Sequence, residues 1–274
     1  MRIVVLAPSV YSETACATAV RLCELGYVPV GAMSLHTLDH RTLLRKIGQR
    51  GLRDVVGYAR TKIFPGKHSP AAVHNPHLVP FLTRGTRQFR NLREVATAHN
   101  FPVAFCSNQN SPESVAQIRT WSPDLILFTG GNILRSEMLQ IPRHGVINVH
   151  LGLLPEVRGM STPEWSLLTS VPLGVTIHYM DAGIDTGPIL RRCELPDTES
   201  GDSLADLRNR LIAFGIEQLA EVVTSLDRGT ISPNIQSDLD QDNQFFVIHE
   251  RLERLAAERL KAGRPDAAAV RGHG

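Results

Sequence analysis

The chain has 274 residues, 42% of them hydrophobic and 20% charged, with a formal net charge of +2 at pH 7. That balance suits one large α/β domain, or a main domain with a smaller appendage, and excludes a disordered or fibrous chain. So small a net charge does not call for a nucleic-acid partner, and none is expected.

Cys16, Cys23, Cys106 and Cys193 make no C-x-x-C pair and have no histidine at zinc-finger spacing, so reduced core thiols and no metal are expected. The opening MRIVVLAP lacks the apolar core and cleavage site of a signal peptide, and no apolar run reaches the length of a membrane span. A cytoplasmic location is the resulting expectation.

In chain order, Arg2–Pro8 is a β-branched run ending at proline and predicts a buried strand. Ser12–Leu25 predicts a helix with Ser12 as its cap and Gly26 closing it, and Tyr27–Ala32 a second strand. Strand, helix and strand of this size make a βαβ unit, the building block of parallel sheets. From about 35 to 93 the rhythm breaks. Here Arg41, Arg45, Lys46, Arg50, Arg53, Arg60 and Lys62 alternate with Leu43, Leu44, Ile47, Leu52, Val55 and Val56, which predicts a basic amphipathic helix or helix pair. A solvated face is the favoured reading of this insertion, and contact with an anionic membrane surface or a phosphate-bearing substrate the sharper one.

His68–Gly85, rich in proline and histidine, predicts a loop or lid. The β/α pattern then returns with a strand at Pro102–Phe105, a helix opened by Ser111-Pro112-Glu113, and strands at Asp124–Thr129 and Gly145–His150. Ser203–Leu226 predicts a long helix, Asn243–Ala262 a last one, and Gly263–Gly274 a flexible tail. The fold class is therefore α/β, an open, mostly parallel twisted sheet flanked by helices. The main unit spans 1–230, with the basic insertion at about 35–93 and a short C-terminal helix and tail over 231–274.

Chemistry concentrates in 145–190. The Val146–Val149 strand delivers Asn148 and His150 on one side, since alternate strand residues face alike, and strand C-terminal ends are where ligands bind in open parallel sheets. An amide donor beside an imidazole suits a reaction that builds an oxyanion and moves a proton near neutral pH. A carboxylate must orient the imidazole and accept a proton, and Asp181 and Asp185 are both candidates, in a glycine-bearing loop. Alone, N-x-H is too short to exclude an ordinary strand end with two satisfied polar side chains.

The string as a whole resembles the folate-dependent formyltransferase family, which includes glycinamide ribonucleotide, methionyl-tRNA and sugar N-formyltransferases. The resemblance rests on Asn148-Val149-His150, Leu153-Leu154-Pro155, Arg158-Gly159 and the loop Asp181-Ala182-Gly183-Ile184-Asp185-Thr186-Gly187-Pro188, matched in order and spacing over about 121–195. It implies a Rossmann-like sheet and transfer of a formyl group from 10-formyltetrahydrofolate to a primary amine, without a metal. Asn148, His150 and Asp185 are then catalytic, and Asp181 caps the loop. Ile133, Leu134 and the loop with Asp181, Gly183, Ile184 and Gly187 would hold the folate.

Departures from the family narrow the acceptor. The loop after the first strand reads Ala7-Pro8-Ser9-Val10-Tyr11-Ser12, without the glycine that cradles phosphate in glycinamide ribonucleotide enzymes, so Ser9, Ser12 and the following helix start remain as phosphate contacts. Gly152 stands where the family often has serine, and the C-terminal stretch is shorter and more helical than the β-barrel of methionyl-tRNA enzymes. The expected acceptor is a small-molecule amine, an amino sugar or sugar-linked substrate, with Arg158, Met160 and Ser161 lining its side and Trp165 either there or in the core. The alternatives are a glycinamide ribonucleotide-type transferase, a 10-formyltetrahydrofolate hydrolase and a non-enzymatic folate-binding protein. A Rossmann dehydrogenase is disfavoured, since no G-x-G-x-x-G follows the first strand.

Overall fold

The computed structural model describes residues 1–36, 75–196, 203–236 and 243–262. The chain enters through β1 (Ile3–Ala7), α1 (Glu13–Glu24) and β2 (Gly31–Leu35). Ser12 accepts the Ala15 amide at 3.2 Å and starts α1 as a cap. After a 3-10 turn at Pro76–Leu78 come α2 (Val79–Leu82), the small hairpin β3 (Thr83–Arg84) and β4 (Arg87–Gln88), α3 (Leu92–His99), β5 (Val103–Cys106) and α4 (Pro112–Trp121). Then follow β6 (Leu125–Phe128), α5 (Ser136–Leu139), β7 (Val146–His150), β8 (Arg158–Gly159), α6 (Thr162–Thr169), β9 (Gly174–Tyr179) and β10 (Ile189–Glu194). The last elements are α7 (Leu204–Asp227), β11 (Gln244–Phe245) and α8 (Glu250–Lys261).

Seven strands pair in the order β10-β9-β7-β6-β1-β2-β5. The expected mostly parallel sheet is present: β5, β2, β1, β6 and β7 run parallel, and β9 and β10 add an antiparallel edge. Alternation along β1 sorts its side chains. Ile3, Val5 and Ala7 face a cluster with α1, α3 and α7, whereas Val4 and Leu6 face one with Val115 and Ile118 of α4 and Met138 of α5. A strand buried on both faces reads as an unbroken apolar run, which is why IVVLA was legible. From β1 the strand order grows one way through β2 and the other way through β6, so the loops after β1 and β6 flank the switch point where such sheets bind ligands.

Three expectations need correction. The second strand begins at Gly31, not Tyr27, because Pro29 has no N–H for the ladder. Residues 75–85, expected as loop, carry the 3-10 turn, α2 and half of a hairpin. Their Leu78, Phe81 and Leu82 are buried, and Asn75 caps the turn by accepting the His77 amide at 3.0 Å. The last helix begins at Glu250 rather than Asn243, with His249 as its cap, because Gln244 and Phe245 pair instead with β8. The predicted basic helix over 41–63, the 68–74 part of the expected loop and the tail over 263–274 lie outside the described residues. Among the described residues, no helix is long and apolar enough to cross a membrane.

Candidate active site

β7 ends at the sheet's C-terminal edge, where its antiparallel neighbour β9 sets Asn148 opposite His178 and His150 opposite Thr176. Asp185 reaches the same place from the loop after β9. Its Oδ2 lies 3.4 Å from His150 Nδ1 and its Oδ1 3.5 Å from His178 Nε2. The Gly159 amide donates to Oδ2 at 2.9 Å. The structure thus brings together the three predicted catalytic residues and adds His178 and the Gly159 N–H.

Hydrogen-bond chemistry settles which ring nitrogens carry protons. His150 Nε2 meets the Val157 carbonyl oxygen at 2.7 Å, and a carbonyl only accepts, so Nε2 is the N–H of the neutral ring. Nδ1 is then bare and faces the carboxylate. By the same logic His178 Nδ1 donates to Tyr179 O at 2.8 Å, leaving Nε2 to accept from Asn148 Nδ2 at 3.4 Å. An amide nitrogen carries two hydrogens, so Asn148 keeps a second one to give.

Burial holds the His150 pKa below the ordinary imidazole value, although the Asp185 charge and the Val157 carbonyl pull the other way. For Asp185, burial pushes upward, but His178 and His150, each when a second proton sits on the ring nitrogen facing the carboxylate, together with the Gly159 N–H outweigh it and hold the carboxyl below the usual range. Near neutral pH the site is therefore an ionised Asp185 beside a neutral His150. This pair can take one proton at Nδ1, where imidazolium and carboxylate would satisfy each other.

Two threonines brace this end of the sheet. Thr176 donates to Gly152 O at 2.8 Å and accepts the Leu154 amide at 3.0 Å, and Thr162 donates to Leu151 O at 2.8 Å. Gly152 is tightly enclosed: a Cβ there would lie 3.0 Å from Thr162 Cβ and 3.1 Å from His150 Nε2, which accounts for glycine at this position.

The loop after β9 is shaped by Asp181, whose Oδ1 accepts from the Gly183 amide at 3.0 Å and the Thr186 hydroxyl at 2.7 Å. Asp185 itself has φ 54°, a left-handed conformation that aspartate tolerates better than most residues. A Cβ on Gly187 would fall on the Tyr179 carbonyl, so only glycine lets the loop pass there. Gln236 Nε2 clamps the loop from outside, donating to Asp185 O at 3.0 Å and Gly187 O at 2.7 Å, while its buried Oε1 has no partner among the described residues. Ile184 is exposed beside Asp185.

On the far side of the switch point, Gln109 is wholly buried, and its Oε1 accepts the Asn132 amide at 2.9 Å. Asn110 holds Ile133 O at 2.9 Å and the Arg135 amide at 2.7 Å. The loop after β6 is thus latched, with the Ile133 side chain 80% exposed and Leu134 buried in the core beneath. Any role of Leu134 toward a ligand runs through its backbone.

Of the remaining predicted residues, Ser9 accepts the Tyr11 amide at 3.0 Å and Ser12 caps α1, so both hydroxyls are engaged locally. Arg158 is buried and Met160 exposed. Ser161 Oγ accepts the Ile248 amide at 3.2 Å. Trp165 packs against the C-terminal segment: its ring stacks on Phe245 with centroids 4.8 Å apart, and its indole N–H donates to Phe246 O at 2.9 Å. No group of three or more His, Cys, Asp or Glu side chains fit to hold a metal occurs among the described residues.

Sequence reasoning missed His178 and Gln236, and named Gly159 only within the Arg158-Gly159 string, without its role. His178 had a signal: Thr176 and His178 are polar residues two apart in the otherwise apolar GVTIHY, hence on one face of a strand. Gly159 acts through its backbone, so its place in that string does not show its task, and Gln236 acts across 51 residues and leaves no local pattern.

The family described as Formyl transferase matches residues 83–223, just over half of the chain. The methionyl-tRNA formyltransferase of Geobacter metallireducens is 39% identical over 151 residues, covering 54% of this chain and 48% of that protein. The chain thus spans about half the length of this curated relative. Among solved structures, glycinamide ribonucleotide transformylase 1 from Symbiobacterium toebii superposes with a TM-score of 0.55 at 17% identity, covering 86% of this chain and 95% of that one. An N-formyltransferase from Helicobacter canadensis, crystallised with folinic acid and dTDP-3-aminofucose, gives 0.57 at 15% identity, covering 95% and 80%. Both share the fold. The relative named for a tRNA substrate stands against the expectation of no nucleic-acid partner, since a chain's net charge averages away local basic surfaces. With its motif, sheet and matched residues in agreement, the chain belongs to the formyl transferase family.

Proposed function

We propose that the protein transfers a formyl group from 10-formyltetrahydrofolate to a primary amine, with Asn148, His150 and Asp185 as its catalytic residues. The observation that carries this reading is the convergence at the end of β7 of an amide donor, a neutral imidazole with a bare Nδ1, and a half-buried carboxylate. The folate co-substrate supplies an activated one-carbon acyl group. Exposed Ile133 and Ile184 suit the faces of a pterin, and the orphaned Gln236 Oε1 suits one of its N–H groups. The backbone of Asp181, Gly183 and Gly187 would complete that pocket.

As the amine nitrogen bonds to the formyl carbon, the carbonyl oxygen gains negative charge, and the free N–H of Asn148 is there to receive it. The ammonium proton passes to His150 Nδ1, and the resulting imidazolium is held by Asp185 Oδ2 while its charge stabilises the oxyanion. Returning that proton to the folate N10 lets the carbon–nitrogen bond to the carrier break, so no covalent enzyme intermediate is needed.

For the acceptor we favour an amino sugar, free or nucleotide-linked, with Met160, Ser161 and Arg158 on its side of the site. A second reading, an aminoacyl-tRNA acceptor, is favoured by the 39% identity to a methionyl-tRNA formyltransferase. The test is release of tetrahydrofolate in the presence of amino sugars, nucleotide-linked amino sugars, glycinamide ribonucleotide or methionyl-tRNA, with His150→Ala and amine-free controls. Release that requires one acceptor and is lost in the variant supports transfer and names its class. Release without amine identifies a hydrolase, and folate binding without turnover on any acceptor a binding protein.

A further inference from the structure

The Gly159 N–H is one of the groups that hold the catalytic carboxylate, yet Gly159 lies on a strand of two residues. That strand, β8, pairs with β11 in parallel, with Gln244 beside Arg158 and Phe245 beside Gly159. The Met160 amide donates to Phe245 O at 3.0 Å, and Gly159 has φ 95° with no room for a Cβ against that same oxygen. Two residues of pairing are far too few to persist without support. The support is Trp165, whose ring lies on Phe245 and whose indole N–H holds Phe246 O. Behind it, Arg259 donates to Leu167 O and Leu168 O, and Ala256 and Leu260 are buried, so α8 docks on α6 and closes the strap.

We propose that Trp165 is a positioning residue, one that locks Gln244–Phe246 against Arg158–Met160 and thereby keeps the Gly159 N–H on Asp185 Oδ2. Its effect on rate rests on the formyl-transfer reading above; its effect on Gly159 does not. The chain of contacts is continuous: indole to Phe245 and Phe246, Phe245 to Gly159 and Met160, and Gly159 to Asp185. Asp185 is faced by His150 from β7, His178 from β9 and this one N–H from β8. Loosening the strap removes the backbone donor, which carries its hydrogen at every pH.

The experiment compares full-length wild type, Trp165→Ala and Trp165→Phe. Phenylalanine keeps the stack and loses the indole donor. In Trp165→Ala, kcat falls by about 10²-fold, the scale of a ~1 Å misplacement, while KM for the folate changes little. The acid limb of its kcat profile moves to higher pH, because a carboxylate with one donor fewer protonates sooner. Trp165→Phe restores most of both. Amide exchange at ¹⁵N-labelled Gly159 is the readout independent of activity, and its protection is lost in Trp165→Ala and partly kept in Trp165→Phe. A folded Trp165→Ala with wild-type kcat, pH profile and Gly159 protection overturns the proposal, even if its melting point drops. If alanine unfolds the chain, Trp165→Leu, which also loses both the stack and the donor, takes its place, and a folded Trp165→Leu with wild-type kcat, pH profile and Gly159 protection overturns the proposal. A wild type with no turnover defeats the formyl-transfer reading, and Gly159 exchange still decides the strap.

Discussion

Asn148 points one amide hydrogen at His178 and has one left, so its replacement by alanine removes a donor without unpairing a buried charge. Asn148→Ala is expected to lower kcat by ~10²–10³-fold with little change in folate affinity, measured by steady-state kinetics and equilibrium titration. Asp185→Asn is a cleaner probe than alanine. Asparagine tolerates the left-handed backbone at 185 and keeps the side-chain shape, so thermal melting stays close to wild type while kcat falls ~10²–10⁴-fold. A fall in melting temperature matching the loss of rate would show that Asp185 serves the loop rather than the chemistry. At this scale Asn148, His150 and Asp185 could be found in the sequence because each lies in a short string of fixed spacing. The groups that tune them could not: the Val157 carbonyl, the Gly159 N–H and Gln236 act through main chain or across dozens of residues.

Long elements were legible and very short ones were not. β1, β6 and α7 announce themselves through unbroken apolar runs or a capped helical period. β8 and β11 have two residues each, too few to carry a period, and exist only because each finds the other. Helix α7 also reaches the site by packing. Its Gly215 lies against β7, and a Cβ there would approach Val149 Cγ1 to 2.6 Å, between Asn148 and His150, the two residues of that strand proposed as catalytic. Two effects compete in Gly215→Ala: a gain of ~0.5–1 kcal/mol in helix propensity and an overpacking cost of ~1–3 kcal/mol. The second wins, so chemical denaturation is expected to give a lower midpoint and a kcat reduced along with it. A higher midpoint would mean that β7 yields to the extra methyl.

For the molecule as a whole, His150, Asp185 and Glu164 are among the described groups that shape stability against pH. His150, held neutral by burial, contributes stability that is complete above its unfolded pKa near 6.5 and is lost as pH falls through the lower folded value. Asp185 acts in the same direction at lower pH, its contribution present above the unfolded carboxyl value and lost below it. Glu164 opposes them. It is wholly buried on α6, and burial raises its pKa despite the Arg208 guanidinium 2.6 Å away, so the folded chain gains stability as Glu164 takes up a proton. Glu164→Gln is therefore expected to steepen the loss of melting temperature on acidification from pH 7 to 5, read by calorimetry. A slope equal to wild type would place the titrating group elsewhere. None of this was visible in a chain of formal charge +2, because burial and pairing, not composition, set these values.

The antiparallel pairing of β7 with β9 puts Asn148 opposite His178 through backbone register alone. A slip by one residue would turn His178 and Thr176 to the other face of the sheet and strip the site of both. Misassembled chains are then silent rather than slow. In any preparation, imperfect refolding shows up as fewer competent sites per milligram, with the turnover of each remaining site unchanged, and counting sites with a tight-binding folate analogue separates the two quantities.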